Sequence, residues 1–169
     1  MGNIAKLNAC LNLLGGIRLH TFTDLKVLQK RIYLLQEFGV DLGYHFGWYI
    51  YGPYSSELAS DAFFLLQQKM QAPSTIESYT LSPDDSKAIQ RFKKLLEEEN
   101  LIKNMAESGY WLELFASLHF LWKFSFFKEK KTREAISKKL NEQKISMFKD
   151  EDIATAWKLL EAFGLVSFA

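Results

Sequence analysis

The sequence predicts a mainly α-helical fold with small β wings. Apolar residues recur at helical spacing in several stretches of the 169-residue chain, and only three prolines and nine glycines interrupt it. Hydrophobic residues make up 48% of the chain and aromatic residues 15%, which favours a packed core over disorder. Glycine and β-favouring residues cluster in one central stretch and near the C-terminus, where we expect the β elements.

The first two predicted helices both end at glycine. A short helix is expected over residues 4–14, because the glycine pair at 15–16 supplies a left-handed cap. The next helix begins after Thr23 and Asp24, which are good N-cap residues, and continues to Phe38, one residue before another glycine. Its apolar positions recur every three or four residues and are Leu25, Leu28, Ile32 and Leu35.

Aromatic and β-favouring residues dominate the next stretch, residues 40–54, in which glycines recur at intervals of four or five. This pattern forbids a stable helix and predicts a short hairpin or an extended aromatic segment. Ser55 or Ser56 then caps a third helix that continues to about Lys69. A polar linker follows over residues 71–80.

The second half of the chain is expected to be helical and to end in a strand. Ser82 is a capping residue followed by proline at the first helical position, so a helix should extend from there to about Glu98. The remaining predicted elements are helices over residues 108–124, 132–141 and 150–163 and a short strand over residues 164–168. Two helices followed by a strand is the chain order of a winged helix-turn-helix unit.

Bulk charge and cysteine content limit the location and the partners. The net charge of +1 gives no global field for nucleic acid or anionic lipid, so any polyanion site must be local. Cys10 is the single cysteine, which fits a reducing compartment, and the first fourteen residues have no secretory-signal pattern. The most apolar stretch, residues 111–127, contains charged residues and is too short to span a membrane. We therefore expect a cytoplasmic protein without a membrane partner.

The residue types that carry catalysis or bind metals do not occur in suitable patterns. None of His20, His45 and His119 has a second histidine or a cysteine at metal-ligand spacing. No glycine-flanked serine nucleophile and no glycine-rich phosphate loop is present in the sequence. Cys10 and His119 are interpreted as core residues. We expect no metal, no cofactor and no catalytic residue.

One segment, residues 25–64, carries a recognisable pattern. A helix of the form K-x-L-Q-K-x-x-Y-x-L-Q is followed by an aromatic stretch that ends in Y-G-P-Y-S-x-E-L. This segment resembles the YwgA-like family of small prokaryotic proteins, and the looser pattern of a helix and Tyr-Gly-Pro is similar to the Panacea antitoxin domain. The resemblance implies a winged-helix-like fold and a non-enzymatic role in toxin neutralisation, phage defence or regulation.

The resemblance also suggests a division of the chain and a set of partner-binding residues. We expect a YwgA-like, winged-helix-like unit over residues 1–80 and a helical region over residues 81–169 that ends in a second winged unit, with one compact domain as the alternative. Candidate partner-binding residues are those of the motif: Lys26, Gln29, Lys30, Tyr33, Gln36, Tyr51, Gly52, Pro53, Tyr54 and Glu57.

The motif residues also suit a structural role. Gln29, Tyr33 and Gln36 lie three or four residues apart, so they share one helix face. Their amide and phenol groups can satisfy the backbone of the irregular aromatic segment. We therefore expect bracing first, and a contact to a protein partner in addition.

A basic run supports an alternative function. Residues 123–144 contain eight basic and three acidic side chains, a local charge of +5. The candidate nucleic-acid contacts are Lys128, Lys130, Lys131, Arg133, Lys138 and Lys139. The following helix, which would be the recognition helix, opens with Asp150-Glu151-Asp152, and these carboxylates would repel DNA phosphates. A protein-interaction module is therefore the leading hypothesis, and a winged-helix DNA-binding regulator is the alternative.

Overall fold

The computed structural model describes residues 3–98, 105–143 and 148–168. These ranges contain seven α-helices, a short 3-10 turn and one two-stranded antiparallel sheet. The elements are α1 Ile4–Leu13, α2 Phe22–Glu37, β1 Gly47–Tyr49, β2 Gly52–Tyr54, α3 Ser56–Gln71, the turn Pro73–Thr75, α4 Pro83–Glu97, α5 Met105–Phe124, α6 Arg133–Gln143 and α7 Asp150–Ala162. With 66% helix, the predicted mainly α fold with a small β element is confirmed.

Local capping signals account for most helix starts. Ser55 is the N-cap of α3, where its hydroxyl accepts a hydrogen bond from the backbone N–H of Leu58 at 3.2 Å. Ser82 caps α4 through a capping box with Asp85, as the sequence indicated. The start of α5, at Met105, lies three residues before the predicted one.

The predicted start of α2 is wrong by three residues. The N-cap is Thr21, whose hydroxyl accepts from the backbone N–H of Asp24 at 3.1 Å, while the Asp24 carboxylate accepts from the N–H of Thr21 at 3.0 Å. This reciprocal pair satisfies two backbone N–H groups at once, so it is preferred over a cap at Thr23. As a result, Phe22 belongs to the helix and is its first residue.

The sheet is a hairpin with Gly47 paired to Tyr54, Trp48 to Pro53 and Tyr49 to Gly52. Gly52 has a φ of +91°, a left-handed conformation that side-chain-bearing residues rarely adopt. The glycine of the Tyr-Gly-Pro-Tyr motif therefore has a backbone requirement. Of the two alternatives predicted for residues 40–54, the short hairpin is present, over residues 47–54.

Buried residues from both predicted regions form one hydrophobic core. The ring of Phe38, just after α2, lies 5.8 Å from that of Phe92 in α4 and 6.2 Å from that of Phe163 after α7. An ion pair of 3.1 Å also joins Lys6 of α1 to Asp85 of α4. A division of the chain at residue 80 stays a prediction. Cys10 and His119 are both buried, as expected.

The predicted C-terminal strand over residues 164–168 does not form, and no strand follows α7 within the described ranges. Gly164 has a φ of +76°, and the N–H of Leu165 donates to the carbonyl of Leu160, so this segment caps α7. Leu165 and Val166 are buried in the core without a neighbouring strand to pair with. The predicted second winged unit therefore lacks its wing in the part of the chain that the structure describes.

Buried residues of α6 and α7 belong to the common core. Ile136 and Leu140 of α6 are fully buried, as are Ala156 and Leu160 of α7. Ala135 and Phe163 beside them are half-buried.

Candidate functional site

Two glutamines of α2 hold both ends of the aromatic segment. Gln29 donates through Nε2 to the carbonyl of Ser55 and accepts through Oε1 from the Ser55 N–H, both at 2.8 Å. Gln36 forms the same pair of bonds with the backbone of Tyr44, both at 3.0 Å. Each side-chain amide thus replaces a strand partner for one residue. The bracing expected of these two residues is present.

A buried lysine of α2 binds the backbone of β2. Lys30 is 2% exposed, and its Nζ donates to the carbonyl of Pro53 at 2.7 Å. One turn earlier, Lys26 pairs with the buried carboxylate of Glu113 in α5 at 3.2 Å. Both lysines were candidate partner-binding residues. In the structure, both ammonium groups have partners within the chain.

Tyr33 differs from the expectation that it would bond to the aromatic segment. Its hydroxyl shares a 2.7 Å hydrogen bond with Nδ1 of His119 in α5, although its ring packs against Phe46 in that segment. Burial raises the pKa of Tyr33, with a smaller contribution from Glu37. Burial also lowers the pKa of His119 to about 4, against an opposing effect of Glu37, so the imidazole is neutral at pH 7.

A groove of about 230 Å³ lies between the first half of α2 and the turn of the hairpin. Six of the ten motif candidates line it, namely Lys26, Gln29, Lys30, Tyr51, Gly52 and Tyr54. Tyr33, Gln36 and Pro53 do not line it, and Glu57 lies exposed in the first turn of α3. We name this site the hairpin groove.

Four residues of the hairpin groove were missed by the motif: Phe22, Leu25, Tyr49 and Ile50. The α2 residues of the groove are 22, 25, 26, 29 and 30, which follow helical spacing and share one face. This signal was available in the sequence. It was lost because the helix was predicted to begin after Asp24, which left Phe22 outside it.

Large apolar side chains around the hairpin groove are exposed to solvent. Phe22 is 60% exposed, Tyr49 56% and Ile50 55%. The ring of Phe22 meets that of Tyr51 edge to face at 5.3 Å, and the ammonium of Lys26 lies 4.4 Å from the centroid of the Tyr51 ring. The braced hairpin therefore presents a mainly aromatic surface to solvent.

The chemistry available in the hairpin groove is that of a binding surface. The amide of Gln29 and the ammonium groups of Lys26 and Lys30 are all engaged within the chain. What faces solvent is mainly aromatic and aliphatic surface. Such an arrangement can bury an apolar group, and its polar side chains are committed to the bracing described above.

The basic run divides into engaged and exposed residues. Lys131 bonds to the carbonyl of Trp122, Arg133 pairs with Glu161, and Lys139 lies 5.3 Å from the ring centroid of Phe127. Lys128, Lys130 and Lys138 are exposed, and none of them takes part in an ion pair within the described ranges. Lys144, the last member of the run, lies outside the described residues.

Comparison with known proteins gives no assignment. The chain matches no family model, no curated protein and no solved structure. The resemblance to the YwgA-like family and to the Panacea domain is neither confirmed nor contradicted. Among the described residues, none of the helices is long and apolar enough to cross a membrane.

Proposed function

We propose that this chain is a non-enzymatic protein-interaction module that receives a large apolar side chain of a partner protein in the hairpin groove. The observation that carries the proposal is the exposure of Phe22, Tyr49 and Ile50 around one concave site. Exposed apolar clusters of this kind are typical of protein-protein contacts. Monomeric proteins otherwise tend to bury such side chains.

The size of the hairpin groove supports an anchor residue over a free metabolite. Its volume of about 230 Å³ is below the roughly 300–1,000 Å³ of typical small-molecule sites. One aromatic or branched aliphatic side chain, set on an extended or helical segment, suits this space. Aromatic anchors in such pockets commonly dominate the binding free energy of a protein interface.

The biological role is the more specific part of the proposal. The resemblance of residues 25–64 to the YwgA-like family and the Panacea domain supports an antitoxin-like or phage-defence-associated regulator. In this proposal the partner is a toxin or a defence effector, whose apolar segment the hairpin groove covers.

A selection from a random peptide library displayed on phage, against the purified full chain, tests the proposal. We expect the enriched peptides to share one Trp, Phe or Leu position. Their affinity should fall at least tenfold in Ile50→Glu, because a carboxylate at the rim of an apolar contact loses solvation on binding. Phe63→Ala, an equally exposed change on α3, is the matched control and should bind normally.

Two results would overturn the proposal. One is the absence of peptide enrichment over a selection against Ile50→Glu itself. The other is a set of peptides that bind Ile50→Glu and the original chain equally well.

A winged-helix regulator that reads duplex DNA is the second candidate. The exposure of Lys128, Lys130 and Lys138 favours it. The three carboxylates at the start of α7 and the missing strand after α7 in the described ranges weigh against it.

A further inference from the structure

The loop between α5 and α6, residues 125–132, carries the most exposed large apolar side chain of the described residues. Phe126 is 83% exposed, and Phe124, the last residue of α5, is 58% exposed. We name residues 124–132 the aromatic loop. Phe124 and Phe126 belong neither to the core nor to the hairpin groove.

The ring of Phe124 in the aromatic loop is packed against the protein on one side. The ring of Phe124 packs at a tilt of 42° against that of Phe120, with centroids 4.6 Å apart, and Phe120 in turn packs against Trp48 of the hairpin at 5.7 Å. The ring of Phe124 is therefore fixed by the fold on one side, and more than half of its surface remains open. A fixed, open aromatic ring is a platform on which a second flat ring can stack.

Exposed cations lie beside these rings along the chain. Lys128 and Lys130 follow Phe126 by two and four residues, and Lys138 lies on α6. All three are exposed and take part in no ion pair within the described ranges. Glu129 is also exposed in the aromatic loop, so residues 128–130 together carry a net charge of +1.

Exposed rings beside exposed ammonium groups match one class of ligand, a polyanion with flat aromatic faces. Single-stranded nucleic acid has both features, because its bases are unstacked and available to aromatic side chains. Duplex DNA hides its base faces inside the helix, and the acidic start of α7 opposes it further. Of the two exposed rings, Phe124 is packed against Phe120, and a fixed ring face suits stacking of a base better than insertion into an anionic lipid surface.

We propose that the aromatic loop binds single-stranded nucleic acid without sequence preference, with bases stacked on Phe126 and Phe124 and phosphates near Lys128 and Lys130. This activity is independent of the hairpin groove.

Fluorescence anisotropy of the full chain with a short labelled oligothymidylate tests the proposal. We expect binding that weakens with salt, with a slope of log affinity against log salt near 0.7 per phosphate contacted. Lys130→Glu should reduce both the affinity and this slope. Lys94→Glu, an exposed lysine on α4, is the matched control and should change neither.

The stacking step has its own test. Phe126→Ala should weaken binding about tenfold or more, since a stacked base contributes roughly 1–3 kcal/mol. Phe126→Leu keeps apolar surface but removes the aromatic face, so it should behave like Phe126→Ala, whereas Phe63→Ala should bind normally.

Several results would overturn the proposal: no binding of the oligonucleotide, unchanged affinity in Phe126→Ala, full affinity in Phe126→Leu, or a duplex of equal length that binds more tightly. Binding to phosphatidylserine vesicles in place of the oligonucleotide would also overturn it and assign the loop to lipid. Ile50→Glu must leave oligonucleotide binding unchanged, so failure of the hairpin groove proposal and failure of this one are distinguishable.

Discussion

The hairpin groove and the aromatic loop place aromatic side chains on the surface in two different ways. In the hairpin groove, polar motif residues of α2 fix a hairpin through buried hydrogen bonds, such as the two between Gln29 and the backbone of Ser55, and the exposed apolar side chains lie on that frame. In the aromatic loop, the rings follow the end of a helix and their neighbouring lysines point to solvent. The comparison indicates that polar motif residues supply the frame of the hairpin, and we propose that recognition depends mainly on exposed residues outside the motif.

The largest effect on this comparison is expected from Gln29→Ala. The side chain is fully buried, and its loss leaves the N–H of Ser55 without a partner, whereas the carbonyl of Ser55 still accepts the N–H of Ala59. The unsatisfied N–H costs about 1–3 kcal/mol and the cavity left by the buried side chain adds to this, so the free energy of unfolding should fall by roughly 3–5 kcal/mol. Urea denaturation measures this loss, with the exposed Gln67→Ala on α3 as the control. A loss below about 1 kcal/mol would show that the frame does not depend on the amide.

Acidification should act through His119 of α5, which bonds to Tyr33 of α2. The pKa of His119 is lowered to about 4 by burial, whereas an unfolded histidine titrates near 6.5. The unfolded chain therefore binds a proton that the folded chain does not, and stability is lost as pH falls from about 6.5 to 4. The full shift corresponds to roughly 3 kcal/mol.

Urea midpoints measured from pH 7 to pH 4 check this prediction. Glu37 and Lys123 also face the imidazole of His119. Glu37 raises the pKa of the imidazole and Lys123 lowers it, but burial has the largest effect and the net shift is downward. His119→Gln should show a flatter decline than the original chain. Parallel curves for the two proteins would mean that another group accounts for the pH dependence.

A smaller loss is expected from Gly52→Val. The φ of +91° is unfavourable for a β-branched residue, at a cost of about 1–3 kcal/mol, and the position is buried. The melting temperature should drop in Gly52→Val and drop less in Gly52→Ala. An unchanged melting temperature in both variants would indicate that the hairpin adapts without its glycine.

Local signals made part of this fold predictable from sequence. Ser82 was identified as a cap, and the cap of α3 was narrowed to Ser55 or Ser56, because an N-cap depends on residues within one turn. Thr21 was missed because Thr23 is an equally good capping residue. Which threonine is the N-cap depends on the backbone N–H that the Asp24 carboxylate binds, and this is the N–H of Thr21. The expected strand at 164–168 failed for a different reason. The apolar residues of this segment are buried in the core without forming a strand. A strand needs a second strand to pair with, and no local sequence pattern specifies whether one is adjacent.

Of the candidate site, only the residues that brace the hairpin were predictable from the sequence. Polar motif residues such as Gln36 signal bracing because their spacing places them on one helix face. The bond between Tyr33 and His119 joins residues 86 positions apart, and the meeting of Phe22 with Tyr51 depends on how the hairpin folds back onto α2. Such pairings follow from the tertiary structure, which sequence spacing does not reveal.

The most direct test of the central claim, that exposed rings outside the motif form the recognition surface, is the affinity of Phe22→Ala for a library-selected peptide. Isothermal titration should give a dissociation constant at least tenfold weaker than that of the original chain, as expected for a central aromatic anchor. The melting temperature should stay the same, because Phe22 is 60% exposed. Phe64→Ala on α3, similarly exposed, should change neither quantity. An unchanged peptide affinity in Phe22→Ala would contradict the account.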